Sequence, residues 1–250
     1  MPSFTDQVAL VTGSSRGIGA ATAKVLGDRG AKVVVNFHTN AEAAASTAED
    51  IRSAGGDALV VQADVREADD VRQMVDHVEE KWDTIDVLVN NANMPFTHAS
   101  IDEMTWSSFE QKLTDELEAA FRVTKAVVPG MVDQQYGRAI YVSSGLGEHP
   151  APGFVAHGTA KAGLDAFAKY VAQEFGSDGI TANVVAPGLV ETDATADRVD
   201  MVREQVASET PLGRVAQPED VATTIAALAS DDATFVTGTY TPVNGGNAME

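Results

Sequence analysis

Val8-Ala9-Leu10-Val11-Thr12-Gly13-Ser14-Ser15-Arg16-Gly17-Ile18-Gly19 decides how this chain folds. A short apolar run enters a glycine-rich turn, and an alanine-rich helical pattern leaves it. That is the order strand, phosphate loop, helix. Gly13 permits a turn that a side chain would obstruct. Gly17 lets backbone N–H groups approach a pyrophosphate, and Gly19 lets the helix pack close to the strand. The start of the helix then offers unpaired N–H donors and a partial positive charge to phosphate oxygens. The spacing is G-x-x-x-G-x-G, not G-x-G-x-x-G. A lone glycine triplet often marks only a tight turn; the buried-strand pattern directly before this one turns the reading toward a nucleotide.

The rest of the chain alternates in the same way. Strand patterns cover 7–12, 32–37, 58–63, 85–89, 137–142 and 180–186, and a seventh ends in Tyr240-Thr241-Pro242-Val243. Helical patterns cover 20–29, 41–54, 69–82 and 154–175. Ser100-Ile101-Asp102-Glu103 has the form of a capping box, and a long helical region runs from there to about Gln135. Pro218-Glu219-Asp220 opens the last helix, with proline in its first turn and acids beside it. Short apolar strands alternating with helices predict an α/β fold: a single doubly wound Rossmann-type domain over 1–250, its parallel sheet covered on both faces. Ligands of such sheets bind beyond the carboxyl ends of the strands, where Gly13, Asp64, Asn90, Ser144 and Pro187 fall.

Composition narrows the partners. With 37 acidic against 17 basic residues the formal net charge is −20, which disfavours nucleic acid and anionic membrane surfaces. The acids are spread along the chain, so one reading is a solvated, soluble surface. A sharper one is adaptation to a salty cytoplasm, where screening removes self-repulsion and the melting temperature rises strongly with salt. No cysteine is present, so disulfides, thiolate chemistry and thiolate metal ligation are excluded. The start of the chain has neither a basic segment nor an apolar core, and no apolar run approaches bilayer length. A cytoplasmic location is expected. His38, His77, His98 and His149 have no metal-ligand spacing, so surface roles and no metal are expected.

The ordered motifs resemble the short-chain dehydrogenases/reductases over nearly the whole chain. They are Thr12 to Gly19, Asp64-Val65, Asn90-Asn91-Ala92, the Ser144 region, Lys161-Ala162-Gly163, and Pro187-Gly188 with Thr192. The order and spacing are most similar to the 3-oxoacyl-(acyl carrier protein) reductase branch. The resemblance implies seven strands, a nicotinamide cofactor and a homotetramer built on the two long helices after strands four and five. It also implies that Gly13, Ser15, Arg16, Gly17, Ile18 and Gly19 hold the cofactor's phosphates. Asp64 and Val65 would contact the adenine, Asn91 and Ala92 the adenosine ribose, and Val190 and Thr192 the carboxamide, with Pro187 and Gly188 beside them. The end of strand two reads Asn36-Phe37-His38-Thr39, with no acid to hydrogen-bond a ribose 2′-OH and repel a 2′-phosphate. That absence and Arg16 in the glycine loop, a charge-assisted partner of the phosphate, favour NADP over NAD, with His38 among the residues expected to bind the cofactor.

The chemistry departs from the family. Its proton-transfer group is a Tyr four residues before a Lys on one helix face, with a Ser thirteen residues before the Tyr. Ser144 and Lys161 are in place, but His157 stands at the Tyr position, and Tyr170 is nine residues past Lys161 and faces elsewhere. Glu116 stands where the family has a relay Asn, and Asn93 replaces a Gly, its tolerance of positive φ preserving the turn. Hydride transfer to a ketone needs a proton for the forming alkoxide, and imidazolium can supply it. Lys161 would lower the histidine's pKa; Glu116 would raise it or neutralise Lys161. Glu116 and His157 are expected to form a replacement relay, with Ser144 donating to the carbonyl. The expected function is NADP-dependent reduction of a ketone, a 3-oxoacyl thioester or similar compound. The alternative is a catalytically weak or inactive NADP-binding subunit that partners an active paralogue. Residues Leu189 to Leu212 are expected to form the substrate lid.

Overall fold

Valine-rich runs of four to eight residues form the strands: β1 (Val8–Val11), β2 (Lys32–Phe37), β3 (Asp57–Gln62), β4 (Val87–Asn90), β5 (Gly137–Val142), β6 (Ile180–Pro187) and β7 (Tyr240–Val243). The computed structural model describes residues 3–193 and 195–249. Between the strands lie α1 (Gly17–Asp28), α2 (Ala41–Ser53), α3 (Ala68–Trp82), α4 (Trp106–Asp133), α5 (Val155–Phe175), α6 (Ala196–Glu209) and α7 (Pro218–Leu228). All seven strands pair in parallel in the order β3-β2-β1-β4-β5-β6-β7.

Alternation along each strand divides the core. Val33 and Val35 face Leu26, Ile51 and Ile225, so α1, α2 and α7 cover one side. Val34 and Leu88 face Met74, Val78, Val127 and Met131 of α3 and α4. Ala139, Tyr141 and Val184 face Leu164, Ala168 and Val171 of α5. Strands buried on both faces read as continuous apolar runs because there is no polar side to alternate with.

Two boundaries differ from the sequence reading. Helix α4 begins at Trp106, capped by the Thr105 hydroxyl accepting from the Ser108 N–H, and not at Ser100. The Ser100 and Glu103 side chains do bond each other at 2.9 Å, but across a turn. The Ala99 N–H is tied to the Gly153 carbonyl at 3.1 Å, which holds this segment against the loop before α5 and delays the helix. Helix α1 starts at Gly17, three residues earlier than propensity suggests, because its first turn is the glycine loop itself. The stretch 189–212 carries α6; Ala194 within it lies outside the described residues. Among the described residues no helix is long and apolar enough to cross a membrane.

Candidate active site

The strand order reverses between β1 and β4, and their carboxyl ends are stitched together there. The Thr12 hydroxyl accepts from the N–H groups of Asn91 (2.9 Å) and Ala92 (3.0 Å). The Asn91 amide donates to the carbonyls of Thr12 (2.9 Å) and Gly13 (3.1 Å). Gly13 and Gly17 both take positive φ, at 61° and 57°. A Cβ on Gly19 would lie 2.5 Å from the Gly13 carbonyl oxygen and 2.5 Å from the Asn91 amide nitrogen. The loop is therefore a cradle that side chains would fill, at the start of a helix, and it fits a diphosphate.

At the end of β2, Asn36 is consumed by the fold. Its Oδ1 accepts from the Gly13 N–H at 3.1 Å, and its amide donates to the Ala63 carbonyl at 3.2 Å. No carboxylate stands in Asn36 to Thr39. The His38 Nε2 lies 3.5 Å from an oxygen of Asp64 at the end of the neighbouring strand. Arg66, which the sequence reading did not single out, donates to both Asp64 oxygens at 3.0 and 2.6 Å and to Asp115 at 3.2 Å. The Arg66 hydrogen bonds hold the Asp64 carboxyl down to about 2 against the effect of burial. Arg16, just before α1, is exposed and makes no ion pair among the described residues.

The other end of the cleft is built on β5, α4 and α5. Ser144 follows β5, and its hydroxyl oxygen accepts from the Leu146 N–H at 3.3 Å, leaving its own hydrogen to donate. His157 and Lys161 lie one turn apart on α5, both buried. The His157 ring stacks on Phe96 with centroids 4.6 Å apart and planes 23° apart. Lys161 Nζ donates to the Val142 carbonyl at 2.8 Å and pairs with Glu116 Oε1 at 2.6 Å. Glu116 Oε2 accepts from Lys112 Nζ at 2.6 Å and from the Met94 N–H at 3.2 Å. Burial would raise the Glu116 carboxyl, but Lys161 and then Lys112 outweigh it and hold it at about 2. Of the two effects anticipated for Glu116, the structure displays neutralisation of Lys161.

The cleft has a volume of about 1490 Å³, and every residue expected to be catalytic or to bind the cofactor lines it except Glu116. Glu116 lies behind the wall, beside a small separate cavity shared with Asn90 and Leu164. His38, His98 and His149, expected to have surface roles, are exposed but stand on the cleft. Asn93 needs no positive φ, contrary to expectation; its side chain is used instead, accepting from Lys112 at 3.0 Å. Tyr170 is 67% exposed on the outside of α5. Lys112 and Phe96 were missed. The only signal for Lys112 was its place four residues before Glu116, which reads equally as a solvated helix pair. Among the described residues no cluster suits a metal ion.

Residues 13–248 match a family model described as enoyl-(acyl carrier protein) reductase. A 3-oxoacyl-[acyl-carrier-protein] reductase from Synechocystis is 42% identical over the full length of both chains. An acetoacetyl-CoA reductase from Allochromatium vinosum is 38% identical, covering 97% of this chain and 99% of its own. A crystal structure of a dehydrogenase/reductase from Sinorhizobium meliloti superposes with a TM-score of 0.89 at 33% identity, over 99% of this chain and 97% of that one.

Proposed function

We propose, for a chain that belongs to the short-chain dehydrogenase/reductase family, that it is an NADPH-dependent reductase of a ketone, a 3-oxoacyl thioester or a close analogue. The observation carrying this reading is that Ser144, His157 and Lys161 share one cleft with the glycine cradle. The names of the two enzyme relatives support a keto substrate; the family model's description puts an enoyl thioester in the same test panel.

When bound, the reduced nicotinamide supplies the hydride. The glycine-loop N–H groups hold its diphosphate, with Ser15 and Ile18 beside them. Asp64 and Val65 would face the adenine, Asn91 and Ala92 its ribose, and Pro187, Gly188, Val190 and Thr192 the carboxamide end. Ser144 donates to the substrate carbonyl oxygen. His157, as imidazolium, gives that oxygen its proton as negative charge develops there. Lys161 holds the nicotinamide ribose, and Glu116 acts on His157 from behind through its ion pair with Lys161. Support for NADPH is the missing carboxylate at the end of β2 together with the uncommitted Arg16, with His38 nearby. A homotetramer and a cytoplasmic location belong to the same reading; Phe121 on α4 and Tyr170 on α5, 50% and 67% exposed, support an interface on those helices.

NADPH oxidation against a panel of ketones and enoyl thioesters tests it, with wild type, His157→Ala and His157→Tyr side by side. The expected result is turnover by wild type that falls as pH rises past the histidine titration, and its loss in His157→Ala. The phenol's absence favours one rival, a cofactor-binding subunit without turnover. Activity in His157→Tyr alone would establish that rival.

A further inference from the structure

Lys112 is wholly withdrawn from solvent, although nothing in its helix position demands a charge. Its ammonium has three acceptors for its three hydrogens: Glu116 Oε2 at 2.6 Å, the Met94 carbonyl at 2.7 Å and Asn93 Oδ1 at 3.0 Å. Burying a charge is costly even when it is paired, and an apolar residue of similar volume often serves packing as well or better. What Lys112 touches explains why a cation stands there. Its carboxylate partner is the one that neutralises Lys161. Its ammonium also lies 5.6 Å from the centre of the Phe96 ring, whose other neighbour at 4.6 Å is the His157 imidazole. One side chain thus fixes both the charge behind the site and the surface on which the imidazole rests.

We propose that Lys112 is a positioning residue for His157. It clamps the Glu116 carboxylate against Lys161 and seats the Asn93–Phe96 turn under the imidazole, so that its charge and that of Glu116 both act on the ring. This rests on the reading of His157 as the proton donor. Besides Lys112 and Glu116 on α4, the titratable groups that share its helix or its cleft include Lys161 and Asp165 on α5, His98 after β4 and His149 before α5. Lys112 Nζ lies within about 10 Å of the ring, by way of the Phe96 ring between them.

The test is an NMR titration of the His157 imidazole in the full chain, its signal assigned by comparison with His157→Ala. Removing the cation in Lys112→Met raises the midpoint by roughly half a pH unit, and Lys112→Arg keeps it near the wild-type value. Glu116→Gln moves it the opposite way, and the double variant Lys112→Met with Glu116→Gln returns toward wild type. In turnover, Lys112→Met loses about tenfold in kcat with KM little changed, and the alkaline limb of the pH profile moves with the NMR midpoint. A midpoint unmoved in Lys112→Met, with NADPH affinity and circular dichroism intact, overturns the proposal and leaves Lys112 a structural staple. Should Lys112→Met not fold, an unmoved midpoint in Glu116→Gln overturns it equally. Failure of the reductase reading looks different: the midpoints shift as expected while wild type turns over no ketone.

Discussion

At the β1–α1 end of the cleft the groups on offer are main-chain N–H donors, placed by Gly13, Gly17 and Gly19 and stitched by Thr12 and Asn91. At the α4–α5 end they are side chains, and four of them, Lys112, Glu116, His157 and Lys161, are buried together. The first end needs glycine, a strand order and a few neutral side chains, those of Thr12, Asn36 and Asn91, that brace the loop. The second depends on which ionisable groups meet and in what charge state. Here the imidazole stands beside a carboxylate on Lys161 and a second lysine on that carboxylate. Side-chain sites can be rewired, provided the buried charges still balance.

The largest effect that separates the two ends is expected in His157→Ala. Removing a positioned proton donor costs about 10²- to 10⁴-fold in turnover. The NADPH dissociation constant, measured by fluorescence titration, should stay near the wild-type value. If affinity collapses alongside turnover, the two ends are one structural unit and the comparison fails. The reciprocal variant is Gly19→Ala. Its Cβ cannot sit 2.5 Å from a carbonyl oxygen, so the loop must shift. NADPH affinity should weaken by on the order of a hundredfold, about 3 kcal/mol. The His157 titration, read by NMR without cofactor, should not move.

The same division explains what could be read from sequence. Glycines and strand periods are local features, and the parallel sheet followed from them; the β1–β4 junction appears only in the strand order of the fold. The capping-box pattern at Ser100 was also local, yet it misplaced the start of α4. The contact that delays the helix, Ala99 to Gly153, joins residues more than fifty apart. Lys112 was illegible for the same reason. A lysine four residues before a glutamate normally marks a solvated helix face, and only the packing of Asn93 and Met94 over it makes this one buried. Arg66 beside Asp64 likewise carries no pattern of its own; its link to Asp115 spans two helices' worth of chain. The family spacing marks Ser144, His157, Lys161 and Glu116, and the fold brings the first three to one cleft with Glu116 behind its wall. Their mutual charges were not legible.

Asp165 sharpens the contrast in stability. It lies one turn beyond Lys161 on α5 and is 6% exposed. Burial raises its carboxyl from 3.8 to about 6, with the Ser143 hydrogen bond and Lys161 only partly opposing. The folded state thus keeps a proton that the unfolded chain releases. Below about 3.8 the group contributes nothing; as pH rises toward 6 and beyond it destabilises, and the full cost is present above 6. Asp165→Asn should therefore gain about 2 kcal/mol in denaturant unfolding at pH 7.5, and the gain should shrink steadily toward pH 4. A gain that is independent of pH would mean that packing, and not charge, is what the substitution relieves.

The smallest effect concerns a charged side chain at the backbone end. Arg16 is extended and exposed immediately before α1, on a surface whose net charge is −20. It lines the cleft, where the Asp64 carboxylate is already taken by Arg66. An exposed charge-assisted contact contributes modestly, so Arg16→Ala should weaken NADPH about tenfold, roughly 1.4 kcal/mol, and leave NADH unchanged. The loss should diminish in high salt, since the contact is screened. If both nucleotides weaken equally, Arg16 serves the diphosphate, and discrimination must come from the carboxylate that is missing at the end of β2. Placing one there with His38→Asp then has to reverse the preference, by repelling the 2′-phosphate and accepting from a free 2′-hydroxyl.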